Sequence, residues 1–312
     1  MHSLVLWGIF SSLATSTLAQ STTQLFNFSS YVDIENSVLR PNGHLLLTTF
    51  DKGRLYDLDP HSPSPAAKLV ATFPGSTAIT GIAPIGDDKF AVSGGVRGSY
   101  HYDNETIYTI DMRSNGTVDV VAKLGTAIML NGMASLPSHP HIVLSADSRV
   151  GVLWRVDTHT GTTNLALQDD YLMAPENSSV PIGVNGLKVV GGYVYFTNTA
   201  RGIFARLPVS DDGVRFGQVH VIAHSDGYSW DDFILDTDGA AYVAQSNNAV
   251  VKILPSGEKM VVAGGSESMA LIGPTSLVLD DHETVLYVTT RGGTVDGVEY
   301  SGQVVKVELP KA

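Results

Sequence analysis

Apolar positions in this chain fall in short runs and not in helical stripes. Strict alternation appears in YVYFTN (193–198) and VVKVEL (304–309). Other runs, such as HLLLTTF, HIVLSAD and VLYVTT, are continuous blocks rich in β-branched residues. Both patterns predict strands, alternating where one face is solvated and continuous where both faces are buried. Asn-Gly and Asp-Gly pairs such as Asn42-Gly43 and Asp238-Gly239 punctuate the runs and supply the positive φ angles of tight hairpins. No segment sustains a 3.6-residue apolar period.

The runs repeat as a unit: an inner strand, a turn, a second strand, a turn and a third. The copies start at residues 35, 79, 130, 184, 230 and 274, separated by 44, 51, 54, 46 and 44 residues. That is the length of a four-stranded propeller blade. The expected fold is therefore all-β, a six-bladed β-propeller of four-stranded blades. Six evenly spaced copies argue against a β-sandwich or a two-domain chain. The segment from Phe26 to Val32 is expected to give the sixth blade its last strand and close the ring.

The first residues lie outside this repeat. Leu4 to Phe10 form an apolar run, and Thr17-Leu18-Ala19 resembles a small-residue cleavage site. The expected organisation is a signal peptide over 1–19 and a single propeller domain over 20–312. Sequons at Asn27, Asn104, Asn115 and Asn177 fit a secretory or secreted location as glycan acceptors. No other run is long and apolar enough for stable membrane insertion. Among 312 residues there is no cysteine, which excludes a disulfide scaffold, a thiolate metal site and a cysteine nucleophile. The net charge of −12, from 19 Lys+Arg against 31 Asp+Glu, argues against a nucleic-acid partner. A mean hydropathy of +0.10 excludes a disordered chain.

Aligning the copies places one polar residue at the start of each inner strand: Thr80, Asn131, Asn185, Asp231 and Thr275, with Glu35 or Asn36 in the first copy. A one-residue slip exchanges the faces of a strand, so that register matters. Six inner strands would aim these residues at the mouth of the central channel. Two carboxylates and two amides form an oxygen-only donor set suited to Ca²⁺, Mg²⁺ or Mn²⁺. The competing reading is that they brace the strand entrances, as Asn and Asp do at turns. Met133, Leu187, Tyr228, Trp230, Phe233 and Met269 flank the ring as candidate pocket walls, with propeller core the plainer reading of Leu187 and Phe233. His224 precedes Tyr228 and Trp230 and is a candidate acid/base residue. His139-Pro140-His141 reads as a connecting loop, Gly94 to Gly98 as a hairpin turn, and Asp169-Asp170 and Asp280-Asp281 as solvated turn carboxylates. No G-x-S-x-G elbow or H-E-x-x-H motif is present.

Glu35-Asn36, Asn131-Gly132-Met133, Val184-Asn185-Gly186-Leu187, Asp231-Asp232-Phe233 and Gly273-Pro274-Thr275-Ser276, taken in order, resemble the regucalcin/gluconolactonase-like six-bladed propellers, in wording the secreted fungal branch. The resemblance covers roughly Tyr31 to Glu308. It implies a divalent metal held by Glu35, Asn131, Asn185 and Asp231, with lactone hydrolysis and Asp231 as base. Lactonases of that family follow the Glu with Gly-Pro; here Asn36-Ser37 follows. The fungal branch is also similar to the hetero-Diels–Alderases of tropolone–sesquiterpenoid biosynthesis, which join a quinone methide to a terpene alkene. That likeness implies a cyclase with small-molecule substrates. Asp231, Asn185, Asn131 and Trp230 would be catalytic, and Tyr228, Met133, Phe233, Thr275, Thr80 and His224 would bind substrate, with or without a metal. The leading expectation is this cyclase. A metal-dependent lactonase or esterase is the alternative, and a non-catalytic ligand-binding propeller the third reading.

Overall fold

The computed structural model describes residues 20–310, so the expected signal peptide lies outside the described residues. Six four-stranded antiparallel sheets are arranged as a six-bladed β-propeller. The inner strands are Ile34–Leu39, Ala78–Gly86, Leu130–Leu136, Val184–Val190, Trp230–Leu235 and Pro274–Leu279. Five blades take their four strands in chain order. The sixth is ordered Pro274–Leu279, Val285–Thr290, Gln303–Glu308 and then Thr22–Asn27 from the start of the domain. The N-terminal segment therefore closes the ring, with a strand that ends at Asn27, earlier than the sequence placed it. Between its second and third strands the sixth blade carries a small extra hairpin, Gly293–Val295 with Val298–Tyr300.

Burial falls outward from the axis. The second strand of blade one, Leu45–Thr49, is buried at every position, whereas the outermost strand, Lys68–Thr72, has none fully buried. Apolar packing is divided into six clusters, one at each junction between neighbouring blades. Phe204 of blade four, for instance, meets Phe233 of blade five edge-on, with ring centroids 5.0 Å apart. Each such side chain contributes about 1.5–3 kcal/mol by leaving water. A blade has no core without its neighbours, so closing the ring completes the core.

Every inner strand is irregular at the polar position. Pairing with the second strand breaks between Ile34 and Ser37, Ile79 and Ile82, Leu130 and Met133, Val184 and Leu187, Trp230 and Phe233, and Pro274 and Ser276. Such a bulge leaves backbone groups outside the ladder, and hydroxyls of the second strands take them up. Thr48 Oγ1, Ser93 Oγ and Thr197 Oγ1 each accept a backbone N–H, from Asn36, Gly81 and Gly186, at 2.9 Å. Hydroxyls also tie blade to blade: Thr48 Oγ1 donates to the Thr80 carbonyl, Thr80 Oγ1 to Leu130, Ser148 Oγ to Val184, Thr199 Oγ1 to Trp230 and Thr275 Oγ1 to Ile34.

Several local expectations are corrected. Gly94 to Arg97 lie inside the strand Lys89–Arg97, with the turn after them. His139-Pro140-His141 begins the strand His139–Asp147 and is not a loop. Asp169 is tied to Arg215 at 2.5 Å and is not simply solvated.

Candidate active site at the channel mouth

The bulges settle the register of the first blade. In blades two to five the two residues inside the break are Thr80-Gly81, Asn131-Gly132, Asn185-Gly186 and Asp231-Asp232; in blade one they are Glu35-Asn36. Glu35 thus aligns with Asp231, and Asn36 with Asp232. The two bulge positions serve opposite ends of the channel. Asp231 lines the cavity at the mouth, whereas Asp232 and Asn36 line a second cavity at the far end. Between the ends the strands pinch together. A Cβ on Gly132 would lie 2.2 Å from the Asn185 carbonyl oxygen, and one on Gly81 2.1 Å from that of Asn131. In blades two, three and four, glycine at the second bulge position is what permits this close approach.

The mouth cavity, about 350 Å³, is lined by Asn185, Thr199, Ser229, Asp231, Ser246 and Arg291 on its polar side. Tyr100, Val180, Ile182, Trp230 and Pro274 form the rest. Glu35 and Asp231 sense each other's charge. Burial, then Asp231, then Asp33, pushes Glu35 well above the usual carboxylate range, and Arg291 and Arg97 oppose the rise. Burial pushes Asp231 up to about 7; Arg291 and the Asn185 amide draw it down and the neighbouring Asp232 charge raises it. Two such carboxyls titrate as a pair, both displaced in the same direction. Arg97 is fixed beside them by Asp33 at 2.9 Å and by stacking over Phe50, 4.0 Å from the ring centroid. Below, Tyr102 is held strongly protonated by burial and by the Glu35 charge.

The structure brings together Glu35, Asn185 and Asp231, with Asn131 at the equivalent bulge of blade three. It separates the other expected site residues. Thr80 and Thr275 are fully buried and spend their hydroxyls on neighbouring blades, so the bracing reading holds for them. Phe233 is core between blades four and five. Met133 is buried and lines the far cavity, not the mouth. The Trp230 indole is wholly buried and its N–H donates to Gln245 Oε1 at 2.8 Å, which makes it cavity wall and not a substrate donor. His224 ends the outermost strand of blade four, and it and Tyr228 line an exposed cleft beside the mouth cavity. A side chain's face follows from pairing, and the bulges and an extra outer strand moved these residues.

Arg291, Arg97 and Tyr100 escaped the sequence reading. A signal for the arginines was present: a basic residue ends or follows the second strand in five copies, at Lys52, Arg97, Arg149, Arg201 and Arg291, and all five are exposed.

The donor set also bears on the metal that the fold resemblance implies. Asn131 Oδ1 is buried and has no hydrogen-bond partner among the described residues. An orphaned amide oxygen in one ring with two mutually repelling carboxyls fits a hard divalent cation. The residues present therefore fit such a group. By contrast, His141, Asp157 and His159 gather at the outer surface of blade three, but the two imidazoles stack face to face at 4.4 Å, so their lone pairs do not converge.

Fold and site together define a six-bladed propeller with an acidic, arginine-flanked pocket at one end of its channel. No family model matches the chain. A protein of Phoma sp. named hetero-Diels-Alderase is 26% identical over 290 residues, covering 82% of each chain. One of Sarocladium schorii with the same name is 25% identical, covering 83% of this chain and 75% of the other. Among solved structures, the calcium-binding protein regucalcin from Agrobacterium tumefaciens superposes with a TM-score of 0.67 at 16% identity, covering 93% of this chain and 95% of that one. A gluconolactonase from Xanthomonas campestris gives 0.64 at 11% identity, covering 93% and 90%. The chain shares the regucalcin/gluconolactonase fold and is a distant sequence relative of fungal proteins named hetero-Diels-Alderase.

Proposed function

We propose that this protein is a cyclase that joins a quinone methide to an alkene by hetero-Diels–Alder cycloaddition at the channel mouth. One C–O and one C–C bond form and no group leaves, so the reaction needs neither nucleophile nor leaving-group acid. It needs the partners held in register and donors aimed at the quinone-methide oxygen, which gains negative charge in the transition state. The observation that carries this reading is the convergence of Asp231, Asn185 and Arg291 on one cavity that no histidine or lysine among the described residues lines, with burial raising the Asp231 carboxyl and the neighbouring Glu35. A carboxyl kept neutral near pH 7 donates a hydrogen bond to a carbonyl oxygen. Arg291 adds charge at the same point, and Tyr100, Ile182 and Val180 give the alkene an apolar wall. The two relatives named hetero-Diels-Alderase support the same class.

The test is turnover of a quinone-methide precursor with a humulene-type alkene. The expected product is one stereoisomer in excess, formed faster than without protein and unaffected by EDTA. A racemic product at the uncatalysed rate overturns the reading.

One observation favours a second reading, a metal-dependent lactonase: the orphaned Asn131 Oδ1. Glu35, Asn131, Asn185 and Asp231 would hold a divalent cation, which would supply Lewis-acid polarisation of a lactone carbonyl. Arg291 would then orient the ring oxygens. Lactone hydrolysis abolished by EDTA and restored by Ca²⁺, Mg²⁺ or Mn²⁺ would establish it. The secretory route belongs to the same proposal. Asn27, Asn104, Asn115 and Asn177 are all exposed, as glycan acceptors must be.

A further inference from the structure

The far end of the channel holds a cavity of about 450 Å³, larger than the mouth cavity, to which every blade contributes the second half of its inner strand. Its walls are aliphatic, with Val38, Ile82, Met133, Val189, Ile234 and Leu277 among them, and no aromatic ring among the described residues lines it. Its polar features are few and specific. Lys188 Nζ meets both oxygens of Asp232, at 2.7 and 3.0 Å, and Ser276 Oγ donates to the same carboxylate at 3.1 Å. Ser37 Oγ is buried, belongs to the cavity wall and has no hydrogen-bond partner. Asp280, Asp281 and Glu283 stand at the rim.

We propose that this cavity is a second ligand site, separate from the mouth, for a neutral aliphatic molecule with a single hydroxyl or ketone oxygen. The volume is that of a small-molecule site. Aliphatic walls with no ring favour an alkyl or alicyclic body over an aromatic one. An ammonium has three donors, and two directed at Asp232 leave a third for a ligand oxygen. Lys188 is thus the one polar donor among the described residues that the wall turns toward a ligand oxygen, which fits a single such oxygen on an otherwise apolar molecule. The charge balance decides against ions. Asp232 already neutralises Lys188, and three rim carboxylates repel an anion. A cation would give up its water for an aliphatic interior with no π-face, the unpaired carboxylate standing only at the rim. The waist at Gly81, Gly132 and Gly186 keeps this compartment apart from Asp231, so the site does not rest on the reaction at the mouth.

Calorimetric titration of the purified protein with 1-decanol, decanoate and 2-naphthol tests it. One site for 1-decanol is expected, with decanoate and 2-naphthol at least tenfold weaker. Lys188→Met should weaken 1-decanol about tenfold by removing the donor to its oxygen. Ser135→Trp, at a partly exposed wall position, should abolish binding while leaving the thermal melt unchanged. Asp231→Asn should leave 1-decanol affinity intact. No binding of 1-decanol to the wild-type protein, equal affinity for decanoate, or binding that survives Ser135→Trp and is lost in Asp231→Asn would each overturn the proposal.

Discussion

At the scale of single residues, the mouth holds two carboxyls that burial raises above their ordinary range, Glu35 further raised by the Asp231 charge and Asp231 by that of Asp232. The consequence for stability has a definite sign. Asp231 has a carboxyl raised from 3.8 to about 7 in the folded protein. A raised carboxyl contributes stability that is fully present below its unfolded value and is lost as pH climbs through the folded one. Stability should therefore fall between about pH 4 and pH 7. Glu105 adds to this trend: burial, with the Asp147 charge, pushes it up to about 8, although its Oε1 accepts the Leu130 N–H at 2.5 Å. Asp231→Asn keeps the shape and removes the charge. Thermal melts should show the variant more stable than wild type by a few degrees at pH 8 and no more stable at pH 4. A variant less stable at pH 8 would mean that Asp231 is ionised and held by a cation.

At the scale of elements, the controlling device is the bulge in each inner strand. In blade five it turns Asp231 toward the mouth and Asp232 toward the far compartment, and in blades two to four glycine at the second position lets neighbouring strands close the waist. Gly132→Ala places a Cβ 2.2 Å from a backbone oxygen and should cost about 1–3 kcal/mol in denaturant unfolding. Gly125→Ala, where an added Cβ meets nothing within 4 Å, should be neutral or slightly stabilising. Equal effects of the two would remove the waist from the account. The bulges also mark what the sequence could show. Strands and turns were readable because they are local: alternation, β-branched runs and Asn-Gly or Asp-Gly corners. The polar ring was readable because repetition aligned Glu35, Asn131, Asn185 and Asp231. The side chains' destinations were not, because a bulge breaks the alternation from which a face is inferred. Thr80 and Thr275 occupy the ring's position yet turn to the next blade, and Met133, three residues into its strand, faces the far cavity. Arg97 ends the second strand of blade two and Arg291 follows that of blade six, and their approach to Glu35 depends on the ring closing.

At the scale of the whole molecule, stability resides in junctions between blades, and the ring has one covalently open seam. Thr22–Asn27 closes it by pairing with the Gln303–Glu308 strand. Phe28, just beyond, meets Tyr56 of blade one edge-on at 5.0 Å. Deleting residues up to Asn27 bares an edge strand and uncovers part of the junction between blades six and one. Calorimetry should show the melting temperature lowered by more than about 10 °C. An unchanged melt would contradict closure by this strand. The absence of cysteine is physically coherent with such a ring, since six shared cores hold the blades as disulfides hold smaller domains. The two compartments are also a property of the whole ring, because only six converging strands make a waist.

The central claim is that a neutral carboxyl at the mouth, and no nucleophile, promotes cyclisation. The measurement that meets it most directly is the rate and enantiomeric composition of the cycloadduct from a quinone-methide precursor and an alkene, followed in EDTA from pH 5 to pH 9. The account predicts one enantiomer in excess, a rate level at acidic pH that declines as pH passes about 7, and loss of that dependence in Asp231→Asn. A racemic adduct at every pH, or a rate that rises with pH and vanishes in EDTA, would contradict it.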